Sequence, residues 1–154
     1  MKKLALVALV VAVVGLFAAD AVAQRAPLFT TAVTARTVQP GGTIGITATI
    51  ADASKVSLAS RECYFLVGLN YNQRANNIHF VMPFMILGKA QFKAVVARGV
   101  PTKLVAGMRF QVPKIRLPRG FKLPLYFQGV ALSKARNSRT VAVPALPAVS
   151  LLVP

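Results

Sequence analysis

The chain is 154 residues long, carries 19 Lys or Arg against three Asp or Glu and one His, and has a formal net charge of +16. That balance leaves little from which to build a carboxylate pair, a zinc site or a nucleophile–base constellation, so ordinary hydrolytic and metal-dependent chemistry is disfavoured. A single cysteine excludes an internal disulfide framework.

Lys2 and Lys3 open a short positive segment, residues 4–19 are apolar apart from Gly15, and Ala21-Val22-Ala23 puts small residues where a signal peptidase reads. The apolar run falls short of the roughly 20 residues that span a bilayer comfortably. The pattern predicts a secretory signal peptide over 1–23 and a mature chain from Gln24, with an uncleaved anchor as the rival. No cysteine follows the small residues, so lipid attachment at this cut is excluded. Cleavage removes Lys2, Lys3 and Asp20 and leaves 17 basic residues against Asp52 and Glu62, a net charge of +15. So basic a domain attracts polyanions. Export turns that attraction away from genomic DNA and toward anionic polysaccharide, lipid headgroups or extracellular nucleic acid. Solubility is the alternative reason for the charge.

Beyond the leader the signal is alternation with period two. Residues 29–38, rich in Thr and Val, predict a first strand. Ile44, Ile46, Ala48 and Ile50 then alternate with Thr43, Gly45, Thr47 and Thr49. Residues 64–69 are apolar on both faces, as in a central strand, and Cys63 shares parity with Phe65, Val67 and Leu69, which predicts a buried, inert thiol. Residues 78–87 alternate around Pro83, whose missing N–H implies an edge or a bulge. Phe92, Ala94 and Val96 form another apolar parity. Leu104, Ala106, Met108, Phe110 and Val112 form the clearest one, with Lys103, Arg109 and Gln111 on the wet face. Residues 123–132 and 140–153 complete the set, the last bent by Pro144 and Pro147.

The turns agree. Gln39-Pro40-Gly41-Gly42 has reversal chemistry, 70–77 is a polar loop, and prolines bracket the basic run after Val112. The predicted fold of 24–154 is a single all-β domain, an antiparallel β-sandwich of about eight strands. A closed outer-membrane barrel is the rival, disfavoured by the lack of Trp and of aromatic girdles.

For a site, Asp52 and Glu62 read best as local counter-charges, and His79 stands without nearby metal-ligating partners. No catalytic residue, cofactor or metal site is expected. The basic residues are better organised. The densest clusters are Lys114, Arg116, Arg119 and Lys122, and Lys134, Arg136 and Arg139, each suited to holding phosphates or sulfates. Phe121 is the lone aromatic inside them, too few for a single-stranded nucleic-acid platform. Strict alternation of loops between two ends groups Lys55, Arg61 and Lys89 with the first cluster, and Arg74, Arg98 and Lys103 with the second.

The segment Leu123-Pro124-Leu125-Tyr126-Phe127-Gln128-Gly129-Val130-Ala131-Leu132 resembles the LxxYxQxxxL-type strand near the end of a small β-sandwich domain of uncharacterised exported bacterial proteins. The Pro40-Gly41-Gly42-Thr43 turn and the closing apolar strand fit the same domain. The resemblance implies a fold and no settled activity, and residues 133–139 are basic where that family is more acidic. The expected function is an exported, non-catalytic binding or structural module contacting anionic surface polymers. The alternatives are a cell-surface assembly subunit joined by sheet-edge pairing, and a small exported enzyme.

Overall fold

The structure, a computed structural model, describes residues 28–71, 80–134 and 137–154. The predicted leader over 1–23 and the cut before Gln24 lie outside the described residues, as do Arg74, His79 and Arg136. The strands, in chain order, are β1 (Phe29–Val33), β2 (Thr37–Val38), β3 (Thr43–Ile50), β4 (Leu58–Asn70), β5 (Met82–Gln91), β6 (Lys93–Ala97), β7 (Val100–Gln111), β8 (Leu123–Lys134), β9 (Thr140–Pro144) and β10 (Ala148–Leu152). One turn of 3-10 helix, Ala53–Lys55, separates β3 from β4.

The domain is all-β, with two sheets. The first has the order β1-β3-β7-β6; the second has β2-β10-β8-β4-β5, with β9 also paired to β8. Ten described strands replace the expected eight or so because two predicted runs divide. Residues 29–38 bend after Val33, so β1 joins the first sheet and β2 the second. The closing run breaks at Pro144, so β9 and β10 take successive stretches of one edge of β8. The named strands pair antiparallel except β2 and β10, which run parallel; an isolated parallel bridge also joins Thr30 to Leu146.

Both sheets contribute to one core. Ile44, Ile46, Ala48 and Ile50 are at most 1% exposed, as their alternation requires, and they meet Cys63, Phe65, Phe127 and Ala131 of the second sheet. Phe110 and Phe127 join the sheets ring to ring at 6.1 Å, and Phe29 and Phe92 do the same at 6.1 Å. Thr47 and Thr49 face outward, half-buried. The outer face of the second sheet is also covered. Leu66 and Val130 are buried beneath Val81, with Tyr71, Phe80 and Phe84 packed around them. Gln128, expected only as part of a resemblance, is fully buried in this layer. Its Oε1 accepts from the Val81 N–H at 3.0 Å and its Nε2 donates to the Ala145 carbonyl at 2.7 Å. A buried amide so satisfied fixes the covering segment to the sheet.

One corner shapes the rest. β5 runs along β4 from Met82 opposite Asn70 to Gln91 opposite Glu62. The Phe92 N–H continues that ladder by donating to the Arg61 carbonyl at 2.7 Å. The chain then passes into β6 of the other sheet without reversing direction. Strands that switch sheets at a bend are a known way to make a corner. Phe92 itself is buried, but Ala94 and Val96, which share its parity, are exposed, because β6 is an edge strand that projects past the core.

This corner corrects the expected grouping of charges. Since the chain does not reverse near Lys89, loop alternation slips by one. Lys55, Arg61, Lys89, Arg98, Lys103, Lys134 and Arg139 share one end of the molecule. Lys114, Arg116, Arg119 and Lys122 occupy the other.

The sheets approach tightly at Gly129. A Cβ there would lie 2.6 Å from the Ala48 Cβ and 3.3 Å from the Cys63 Sγ, and the Gly129 N–H donates across the layers to Thr31 Oγ1 at 2.9 Å. Gly129→Ala should therefore overpack the interface and lower unfolding free energy by about 1–3 kcal/mol. The shift in urea midpoint at constant slope measures it. An unchanged midpoint would show that the sheets do not meet there.

Candidate functional site

The loop joining β7 to β8 is irregular for a sequence reason: Pro113 and Pro118 donate no N–H to any ladder. Its start is anchored to the turn before β3. The Gly41 N–H donates to the Val112 carbonyl at 3.0 Å, and the Val112 N–H to the Gly42 carbonyl at 2.9 Å. Gly41 has φ +81°, which the turn requires and which glycine adopts without strain. The Lys114 stem lies over it: a Cβ on Gly41 would be 3.0 Å from the Lys114 Cγ. A second turn, with Gly120 at φ +79° and the Phe121 N–H donating to the Pro118 carbonyl, presents Arg119 and Lys122.

All four basic residues of this loop are exposed, and none makes an ion pair. Among the described residues the ion pairs are Lys55–Asp52 and Lys89–Glu62, both in the other half of the molecule. Asp52 is pulled below the usual carboxylate range mainly by the Ser54 hydroxyl and N–H, with Lys55 adding to it. Glu62 is lowered first by Lys89 and then by the Tyr64 hydroxyl. No hydrogen bond or ion pair links the two carboxylates, so each serves its own neighbours. Lys134 and Arg139 flank the start of β9, exposed, at the far end. The described members of the second cluster, Lys134 and Arg139, thus stand at the opposite end of the domain from the first cluster.

Beside the basic loop lies a feature that alternation did not reveal. β6 accompanies β7 only as far as Val105, so residues 106–111 have β3 on one side and no described strand on the other. The inner face of β5, the edge strand on which Pro83 sits, is left partly uncovered. The result is an open groove of about 370 Å³ between the sheets. Its walls are Val67–Leu69 of β4, Pro83–Met85 of β5, Phe110 of β7, Val112 just after it, and Leu125 and Leu152; Pro113 and Ile115 of the basic loop close one side. Outside this lining Met108 approaches Gly88, where a Cβ would lie 3.3 Å from the Met108 Cε. Leu69, Met85 and Ile115 remain 48%, 56% and 49% exposed around the mouth. The one sequence signal for this groove is Ile115, a large apolar residue between Lys114 and Arg116 in a loop.

Cys63 is fully buried between the sheets, as its parity predicted, and desolvation pushes its thiol up to about 12. Among the described residues no group of three or more His, Cys, Asp or Glu is placed to hold a metal ion, and no helix is long and apolar enough to cross a membrane.

No protein-family model matches the chain, and no curated protein matches it. Among solved structures it is similar to the alkylpurine DNA glycosylase AlkC of Pseudomonas fluorescens, bound to DNA containing an abasic site analog. That match has a TM-score of 0.37 and 10% identity, and it covers 82% of this chain and 31% of that one. The chain thus spans about a third of that protein's length.

Two measurements check this electrostatic picture. Native Cys63 should react with iodoacetamide at pH 8 slower than free cysteine by on the order of a thousandfold, because little thiolate forms; unfolding should restore the ordinary rate. A native rate near that of free cysteine would place Cys63 outside the core. The carboxylates have folded pKa values below their unfolded ones. Their contribution is therefore complete above the ordinary carboxylate range and is lost as pH falls through the lowered values. Denaturant midpoints should be level between about pH 5 and pH 8 and fall on further acidification, and Glu62→Gln should blunt that fall. An identical acid profile for the variant would rule out the Lys89–Glu62 contribution.

Proposed function

We propose that the chain is an exported, non-catalytic binding module, a two-layer β-sandwich whose basic loop contacts the phosphate or sulfate groups of anionic surface polymers. The carrying observation is the concentration of Lys114, Arg116, Arg119 and Lys122 on one exposed loop, without an ion pair and with both Asp52 and Glu62 in the other half of the molecule. Four uncompensated cations so close together attract a multivalent anion more strongly than the same charges dispersed among carboxylates. Arg and Lys side chains also form charge-assisted hydrogen bonds with phosphate and sulfate oxygens.

Export is supported by the three-part leader pattern over 1–23. The sandwich reading is supported by the core that both sheets share, and by the resemblance of the Gln128 strand to exported β-sandwich domains. The buried Gln128 gives that strand pattern a structural reason: its amide ties Val81 and Ala145 to β8.

Retention on heparin should fall steeply as salt rises. Changing Lys114, Arg116, Arg119 and Lys122 together to Gln should bring elution much earlier and reduce the slope of log affinity against log salt by about 3–4, taking the counterion release known for nucleic acids as a guide. Lys134→Gln with Arg139→Gln should act more weakly. Equal losses per charge in both variants would mean that total charge, rather than this loop, governs binding.

A further inference from the structure

We infer that the groove beside the basic loop receives the alkyl chain of a phosphate-bearing amphiphile, with the headgroup held by Lys114 and Arg116. The inference rests on the reading of the loop as an anion-binding element and adds a smaller ligand that the same cations hold besides anionic polymers.

Three observations lead there. The groove is lined almost entirely by carbon, and its volume of about 370 Å³ lies within the range of small-molecule sites. Such a site gains from an apolar occupant, and Leu69, Met85 and Ile115 leave apolar surface in water until one arrives. Second, apolar lining and positive charge meet at one chain segment. Ile115 is part of the groove wall, and its neighbours Lys114 and Arg116 are exposed and free of carboxylate partners. The Lys114 stem is seated over Gly41, so this residue is held at the start of the loop whose Pro113 and Ile115 form one groove wall. Third, the groove is open along β7, where β6 stops, so a chain can enter from the side without a strand having to move.

These features select against other occupants. A sulfated or phosphorylated polysaccharide satisfies the loop but has nothing to fill the groove. A neutral alkyl chain fills the groove but leaves the cations unused. An anionic amphiphile with one chain uses both, and the opposed chemistry of its two parts sets its orientation.

The test uses the full chain with inorganic phosphate and with butyl, octyl and dodecyl phosphate below their micelle concentrations, by titration calorimetry. Affinity should rise about fourfold per methylene until the groove is filled, following the usual value for burying CH₂ groups. Inorganic phosphate should bind too weakly to measure at the same concentrations, and dodecyl maltoside should bind at least tenfold more weakly than dodecyl phosphate. Met85→Asn and Leu69→Asn, both neutral changes at exposed positions, should each weaken dodecyl phosphate at least tenfold while leaving heparin retention unchanged. Heparin retention with no dependence on alkyl length, or full dodecyl phosphate affinity in both Asn variants, would overturn the groove assignment and leave the loop reading standing. Equal affinity for the maltoside would overturn the headgroup assignment. Failure of the loop variants to change heparin retention would strike the underlying reading instead.

Discussion

The corner at Phe92 is the constraint on which the groove end of the molecule depends. A hairpin between Gln91 and Lys93 would return β6 along β5 within one sheet. Instead the ring of Phe92 is buried against Phe29, and the backbone leaves its ladder with β4 to enter the other sheet. The chain therefore spends β6 on the far half of β7. The near half, 106–111, gains no outer neighbour among the described strands, and Met85 on the inner face of β5 stays exposed. The groove is the space that this path leaves open. Its apolar lining follows directly, since Phe110, Val112 and Leu125 are core-parity residues at the margin of the core.

The same corner explains what was and was not legible in the sequence. Strict alternation identified β3 and β7, because Thr against Ile and Lys, Arg and Gln against Leu, Met and Phe leave one reading of which face is buried. The parity of Cys63 with Phe65 placed the thiol correctly for the same reason. Leu69, on that parity too, is exposed because it reaches beyond the core to the groove mouth. The Pro40-Gly41 turn was legible because only glycine suits its φ. By contrast, alternation is silent about which sheet a strand joins. Lys89 sits before a residue at which the chain keeps its heading, and no local pattern distinguishes that from a reversal. The grouping of Lys55, Arg61 and Lys89 failed on this one point. The burial of Gln128 was also hidden, since a glutamine in a strand ordinarily marks a wet face. Its partners, the Val81 N–H and Ala145 carbonyl, lie 47 and 17 residues away in sequence.

The placement of the carboxylates matters as much as that of the cations. Asp52 caps the short helical turn and holds Ser54 and Lys55; Glu62 faces Lys89 across the β4–β5 pair. Both neutralise charges in the half that carries Lys134 and Arg139. The half that carries the groove has no acidic side chain among its described residues. Total charge is thus a poor guide to the local field here: the far end has more basic residues but also both described carboxylates, whereas the near loop carries four cations without an ion pair.

Charge and groove also constrain each other. An open β7 edge beside exposed Leu69, Met85 and Ile115 is a surface on which copies of a chain tend to pair or aggregate. Lysine and arginine near such an edge oppose this, because bringing two copies together sets their basic loops against each other. An anionic occupant lowers the repulsion and covers the apolar surface in the same step. A neutral apolar occupant would cover the surface and leave the repulsion in place. The loop and the groove are therefore best understood as one device: the charge that keeps the empty groove from meeting its own kind is also the charge that chooses what enters it.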